Sequence, residues 1–271
     1  MCALHGMAYE WTEKDDENLK NMFASAFHMP FPPIKEDYEL RKKPAVRRFM
    51  EQYCPDIDDA EMVGHLTGVI DRCLAKGDTW HPYLMIPSLC ILDNPNAVEQ
   101  LERYLTIASD GEFRKKVLGQ GEGIGRKVNE QNLNNFQSKT LRALLPLLNV
   151  EQKITLTENI MTNNLYGGGT QAQAIYEYAS LYSEETDAVK KERHLNFLRN
   201  AASRDDIAGS FGAFDVHLTR LDSSWKLSKQ RKRALEKWSV QSEYEGTRNM
   251  HSNSLAEIIR FEGEQKKEVS P

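Results

Sequence analysis

Apolar residues recur at intervals of three and four along most of this chain, which is the spacing that places them on one face of an α-helix. The clearest stretch is EMVGHLTGVIDRCLAKG, residues 61–77. Asp58 and Asp59 are suited to capping its first turn, and Gly77 marks its end. The apolar stripe of this predicted helix consists of Met62, Leu66, Val69, Ile70, Cys73 and Leu74.

The same spacing predicts helices along most of the remaining chain. In DNPNAVEQLERYL, Asn94 is predicted to cap a helix that has Pro95 in its first turn. Since no segment alternates apolar and polar residues for long enough to predict a strand, the expected fold is all-α. The further predicted helices are 13–27, 44–53, 96–109, 111–118, 130–148, 150–163, 170–182, 187–202, 205–220 and 226–242.

Proline and glycine clusters interrupt the helical pattern at MPFPP, HPYLMIPS, GQGEGIG and YGGG. GQGEGIG, residues 119–125, resembles a phosphate loop but lacks the lysine spacing of a P-loop and the strand that precedes a dinucleotide site. We therefore interpret it as a flexible connector. The prediction is a compact multi-helix protein with mobile termini and two helical lobes, residues 1–125 and 126–271.

Composition and charge narrow the possible functions. Hydrophobic residues make up 40% of the 271 residues and charged residues 28%, which is typical of a folded globule. The formal net charge is −5, so the molecule as a whole is not a polycation. Any contact with nucleic acid or with a membrane surface must therefore come from local basic patches.

The four cysteines, Cys2, Cys54, Cys73 and Cys90, are widely spaced and form no CxxC pair. They are predicted to be free thiols in a reducing compartment. No apolar run is long enough to cross a bilayer, and MCALHGMAYEW lacks the features of a secretory signal. The expected location is intracellular and cytoplasmic, or the virion if the protein is viral.

Signatures of catalysis and of metal or cofactor binding are missing from the sequence. The seven histidines are scattered, and none lies in HExxH. AGSFG, around Ser210, has the wrong spacing for a nucleophile elbow. We therefore predict no metal, no cofactor and no enzymatic activity, with a helical enzyme whose pocket is unrecognised as an alternative.

Basic clusters are the stronger signal in this acidic protein. RKKPAVRR, residues 41–48, has five cations, and KLSKQRKRALEKW, residues 226–238, has six cations against Glu236. A solvated helix face is the plain explanation of such runs, but their repetition favours a polyanionic partner. The predicted nucleic-acid contacts in these clusters and in GRK are Arg47, Arg48, Arg126, Lys127, Lys226, Lys229, Arg231, Lys232 and Arg233.

One carboxylate, Asp215, lies within RNAASRDDIAGSFGAFDVHLTR, residues 199–220. The apolar spacing around it predicts a core-facing position, where a carboxylate needs a cation or water. No second carboxylate or histidine is obviously placed for acid–base catalysis. We predict a structural ion pair between Asp215 and an arginine, with Arg199 and Arg204 as the first candidates and Arg220 and Arg142 as others.

Three segments of the chain carry a resemblance to a known family. EMVGHLTGVIDRCLAKGDT, RN…RDD…GAFDV and RNMHSNSL occur in this order along the chain. They resemble segments of the coat proteins of flexuous filamentous plant viruses, especially potyvirus-like ones, which are helical and polymerise around single-stranded RNA. The resemblance implies that Asp215 is a structural acid near an RNA groove, and it makes Ser138, followed by Arg142, a candidate RNA contact.

The leading hypothesis is a self-associating viral structural protein, of the coat or nucleocapsid type, that binds single-stranded RNA through its phosphates. An alternative is a helical matrix-type protein that uses the same basic faces against an acidic membrane surface and a nucleoprotein. The enzyme described above is the other alternative.

Overall fold

The structure is a computed structural model that describes residues 11–28, 50, 55–92, 94–203, 211–222, 225, 229–241 and 252–261. Most of the predicted helix 44–53 lies outside these residues, as do Arg47, Arg48, Arg204 and Lys226. The all-α prediction is confirmed, because the described residues form helices and connecting turns and contain no strand.

The chain divides into two compact units, Met1–Leu148 and Asn149–Pro271. The described α-helices of the first unit are α1 (Glu13–His28), α2 (Asp59–Ala75), α3 (Trp80–Met85), α4 (Ala97–Ala108), α5 (Gly111–Gly119) and α6 (Ile124–Leu144), with 3-10 helices η1 (Ile86–Cys90) and η2 (Leu145–Leu147). Those of the second unit are α7 (Val150–Thr162), α8 (Gly168–Glu184), α9 (Ala188–Ala202), α10 (Phe211–Leu221), α11 (Lys229–Gln241) and α12, residues 252–261.

The division between the units lies later in the chain than the boundary predicted after residue 125. That position falls in the first turn of α6, which packs against α3, α4 and α5 and so belongs to the first unit. The second unit begins with a capping box, in which Asn149 Oδ1 accepts from the Gln152 amide and Gln152 Oε1 accepts from the Asn149 amide, both at 3.0 Å. This reciprocal cap sets the start of α7 immediately after Leu148.

The core of the first unit forms where α6 crosses α3 and α4. Phe136 of α6 and Tyr104 of α4 are completely buried. Gln137, also completely buried, donates from Nε2 to the Ala108 carbonyl at 2.7 Å, so it satisfies one of the C-terminal carbonyls of α4. α6 is therefore fixed by burial on one side from Leu133 to its end at Leu144.

Local signals set several of the helix limits as predicted. Asp58 Oδ1 accepts from the Glu61 amide at 2.9 Å, and Gly77 has φ +77°, a left-handed conformation that glycine adopts without a steric cost. Asn94 was wrongly predicted as the cap of α4, because its side chain instead accepts from the Asn96 amide at 3.1 Å and the helix begins at Ala97. The cap of α4 is therefore Asn96, two residues later than the predicted cap.

The segment HPYLMIPS, residues 81–88, was predicted to interrupt the helical pattern, but its residues lie in α3 and η1. Pro82 lies in the first turn of α3, and Pro87 lies in the first turn of η1. The first turn of a helix tolerates proline because its amides have no partner within the helix.

The second unit packs α8 against α7 and α10, and α9 against α10. Tyr178 of α8 is completely buried and donates from its hydroxyl to Glu158 Oε1 at 2.8 Å. A separate apolar cluster joins one residue from each of three helices, Val216 of α10, Leu235 of α11 and Ile258 of α12. Helix α12 was not predicted from the sequence.

No helix in the part of the chain that the structure describes combines the length and the apolar character needed to cross a bilayer.

Candidate nucleic-acid interface

Helix α6 has one apolar face and one polar face. Leu133, Phe136 and Leu141 are completely buried on the first, as is Leu144 at the end of the helix. At 100° per residue the opposite face presents residues spaced by three and four positions. We call these residues the polar stripe: Lys127, Gln131, Asn135, Ser138 and Arg142.

The polar stripe has a cation at each end and neutral hydrogen-bonding groups between them. Lys127, Gln131 and Arg142 are exposed, whereas Asn135 and Ser138 are half-buried. Gln131 donates from Nε2 to Asn135 Oδ1 at 2.9 Å, which confirms that these side chains lie together. A rise of about 1.5 Å per residue makes the stripe about 22 Å long.

Helix α6 has a clear excess of positively charged side chains. The helix has four cations, Arg126, Lys127, Lys139 and Arg142, and a single acid, Glu130. Glu130 accepts from Arg114 Nη2 of α5 at 2.6 Å, so this acid is neutralised away from the stripe. The face that carries Lys127 and Arg142 therefore has no carboxylate of its own helix.

The structure brings Lys127, Ser138 and Arg142, three of the predicted contacts, onto this one face. Arg126 is exposed on the same helix, one position away from the stripe. Sequence reasoning missed Gln131 and Asn135 because it began this helix at residue 130, which left Lys127 outside the helix. The four-residue spacing from Lys127 was the signal that identifies them.

The beginning of α6 exposes apolar side chains. Gly123, with φ +55°, turns the chain into the helix, so the predicted connector GQGEGIG is helical from Ile124 onward. Ile124 is 82% exposed and Val128 is 51% exposed, and their spacing of four puts them at one end of the polar stripe. We call this pair the apolar tip.

Helix α11 supplies the second basic surface. Arg233 and Lys237 are exposed four residues apart, and Lys232 is half-buried. On another side of the helix Leu235 is completely buried, which turns the basic residues outward. The side chains of Lys229 and Arg231 lie outside the described residues, so their predicted contacts stay predictions.

The predicted arginine near Asp215 has a different acidic partner. Arg199 Nε and Nη2 contact Asp222 Oδ2 at 2.9 and 2.8 Å. Asp222 lies seven residues after Asp215, two turns further along the same helix face. Asp215 is completely buried, as the sequence predicted, while its pairing with Arg204 falls outside the described residues.

A shallow hollow of about 320 Å³ lies between α8 and α10. Its most unusual group is His217, which is buried and packs edge-on against Tyr176 with ring centroids 4.6 Å apart. Burial, with a smaller contribution from Arg220, lowers the pKa of His217 from 6.5 to about 4. The imidazole is therefore neutral at physiological pH.

His217 is expected to make the protein less stable in mild acid. The unfolded chain takes up a proton near pH 6.5 whereas the folded chain does so only near pH 4, so stability is complete above pH 6.5 and is lost as the pH falls between these values. Urea titrations at pH 7 and pH 5 should show about 2 kcal/mol lower stability at pH 5 from this group. In His217→Leu that component should disappear, and an unchanged pH dependence in the variant would contradict the assignment.

No protein family, curated protein or solved structure matches this chain. The resemblance to flexuous virus coat proteins is therefore carried by the three quoted segments alone.

Proposed function

We propose that this protein binds single-stranded RNA through its phosphates, using the polar stripe of α6 and the exposed cations of α11, and that it self-associates as coat and nucleocapsid proteins of viruses do. The observation that carries the proposal is the composition of the polar stripe. It combines Lys127 and Arg142 with three neutral hydrogen-bonding side chains, while Glu130 is held by Arg114 away from that face.

The stripe fits a phosphate backbone better than a protein acid cluster or a single small ligand. Lysine and arginine at its two ends supply positive charge about 22 Å apart, a distance that spans several nucleotides of an extended strand rather than one phosphate. The amides of Gln131 and Asn135 and the hydroxyl of Ser138 lie between them, and such groups bond phosphate and ribose oxygens. The five stripe residues include no aromatic ring for base stacking, so little base specificity is expected.

The acidic net charge of the chain makes this binding local and sensitive to salt. A net charge of −5 provides no general attraction for nucleic acid, so affinity must come from the basic surfaces of α6 and α11. Each phosphate that a cation neutralises releases counterions, and the affinity then falls linearly with salt on a logarithmic scale.

The test is a fluorescence anisotropy titration of the full chain with mixed-sequence single-stranded RNA at about 50 and 200 mM salt. The logarithm of affinity should fall with a slope of about −0.7 for each phosphate contact. RNAs of different base composition should bind alike. Absence of binding at the lower salt concentration would refute the proposal.

Self-association has support from exposed apolar side chains. Val189 of α9 is 80% exposed and Val240 of α11 is 77% exposed, and a contact between copies would remove such surface from water. Electron micrographs of the purified protein with and without RNA test this part: rings or filaments are expected, and particles of one chain in both samples would argue against it.

An acidic membrane surface is the second candidate partner, and the apolar tip favours it. Ile124 and Val128 project next to Arg126 and Lys127, which is the combination that inserts apolar groups among anionic headgroups. Flotation with vesicles of neutral lipid and with vesicles containing phosphatidylserine distinguishes this candidate. Binding to the anionic vesicles without binding to RNA would make the membrane the partner.

A further inference from the structure

Three side chains of different chemistry converge where α2 ends and α3 begins. Cys73 lies in the last turn of α2, Asp78 in the connecting turn and His81 in the first turn of α3. One ligand atom from each lies within 4.8 Å of the other two. We propose that Cys73, Asp78 and His81 form a binding site for a zinc-type divalent metal ion.

The backbone explains why Cys73 and Asp78 meet. The Asp78 amide donates to the Cys73 carbonyl at 2.9 Å, and the Gly77 amide donates to the Leu74 carbonyl at 2.9 Å. This pair of bonds, with glycine in the left-handed conformation, is the Schellman ending of a helix, which brings the side chains of these two positions into contact. Apolar residues commonly make that contact, whereas here a thiol faces a carboxylate.

The carboxylate is held in place by the start of α3. Asp78 Oδ1 accepts from the amides of Trp80 and His81 at 3.0 and 3.3 Å. Its other oxygen, Oδ2, lies 2.5 Å from His81 Nδ1. The two backbone bonds thus hold the Asp78 carboxylate in place, and a metal ion bound through Oδ2 would leave them intact, as the outer contacts of metal sites do.

The ligand set selects the type of metal. A thiolate, an imidazole and a carboxylate together are typical of Zn²⁺, whereas Mg²⁺ and Ca²⁺ prefer oxygen alone. In a tetrahedral zinc site, each ligand atom lies about 2.0–2.3 Å from the metal and therefore roughly 3.5 Å from the other ligand atoms. Side-chain rotations that move the ligand atoms by about an ångström would give this arrangement. Three protein ligands leave the fourth position for water or another small ligand.

The site is accessible from one side. Cys73 is 2% exposed, but the side chains of Asp78 and His81 are 31% and 29% exposed and provide the path of entry. Helix α1 contributes the nearby Glu17, whose carboxylate is paired with Lys20 at 2.8 Å. Burial raises the pKa of the Cys73 thiol to about 12, so this thiol is unsuited to be a nucleophile, although a bound metal ion displaces a thiol proton.

The sequence prediction of no metal ligands depended on a search for paired cysteines and histidines. Here the spacing is Cys-x4-Asp-x2-His, with an oxygen ligand between the other two. The Schellman turn makes this spacing suitable for a shared site, because the bond from the Asp78 amide to the Cys73 carbonyl brings the two ends of a six-residue segment together.

Cobalt titration of the metal-free protein, prepared as the whole 271-residue chain, tests the site. A thiolate bound to Co²⁺ gives a charge-transfer absorption band, and Zn²⁺ should displace that band with a stoichiometry of one ion per chain. Cys73→Ser should abolish the band, and Asp78→Asn should weaken Zn²⁺ binding by at least about tenfold, while its amide oxygen still caps α3. If the Cys73→Ser protein does not fold, the Zn²⁺ affinity of Asp78→Asn still tests the proposed metal site.

Cys90→Ser is the matched control, because Cys90 is a free, exposed cysteine in the same unit. It should keep the band and the stoichiometry of the wild type. Absence of a thiolate band in the wild type, or a band that survives in Cys73→Ser, would overturn the proposal. Unchanged Zn²⁺ affinity in a folded Asp78→Asn protein would overturn it as well.

Discussion

Replacing Lys127 and Arg142 together by glutamate should lower the affinity for single-stranded RNA by at least about 30-fold at low salt. Two phosphate contacts are lost and two repulsions are created, at about 0.5–1 kcal/mol each for exposed charges. The slope of affinity against salt should also become shallower by about 1.4, or 0.7 for each lost contact. Anisotropy titrations at several salt concentrations measure both quantities.

The control for this variant has the same change of net charge elsewhere in the first unit. Lys14 of α1 and Lys115 of α5 are exposed and lie outside the polar stripe. Lys14→Glu combined with Lys115→Glu should therefore retain most of the affinity. Equal losses in the two double variants would show that net charge, and not the stripe, governs binding.

Phe136→Ala should destabilise the first unit by about 3–5 kcal/mol, because it empties a completely buried aromatic site on the apolar face of α6. Urea unfolding followed by circular dichroism measures the loss. Hydrogen exchange of peptides from α4 and α6 should locate it, since these helices pack against each other.

The polar face of the same helix supplies the comparison. Gln131 is exposed, and Gln131→Ala should change stability by no more than about 0.5 kcal/mol. A Phe136→Ala protein with wild-type stability would show that α6 does not bury this face. Together, the variants on the two faces of α6 separate loss of fold from loss of RNA binding.

Helix limits were predictable wherever one residue type imposes the conformation. Asp58 and Gly77 delimit α2 as expected, because a capping carboxylate and a left-handed glycine act locally. Helix limits were predicted wrongly where a proline or glycine lies at a position in the helix that accepts such a residue. Pro82 and Pro87 lie in first turns, and the glycines before α6 end at a cap rather than continuing as a linker.

Contacts between helices were less predictable than helices. The sequence indicates that Asp215 needs a cation and offers Arg199 as a candidate, but Asp222 lies two turns further along from Asp215 and competes for the same arginine. Only the packing of α9 against α10 sets the register, and it pairs Arg199 with Asp222. The basic surface on α6 was likewise predictable only in part. The sequence identifies its cations, but the predicted helix began at residue 130, whereas α6 begins at Ile124.

The C-terminal end of α2 is held by side chains of another helix. Lys116 Nζ donates to the Ala75 carbonyl, and Gln120 Nε2 donates to the Lys76 carbonyl, so α5 and the residue after it satisfy groups that a helix end leaves open. Fraying of α2 at this end therefore requires the hydrogen bonds from Lys116 and Gln120 to break at the same time. The two helix ends should open as one cooperative unit, and amides around Gly77 should exchange more slowly than those of a solvent-exposed helix terminus.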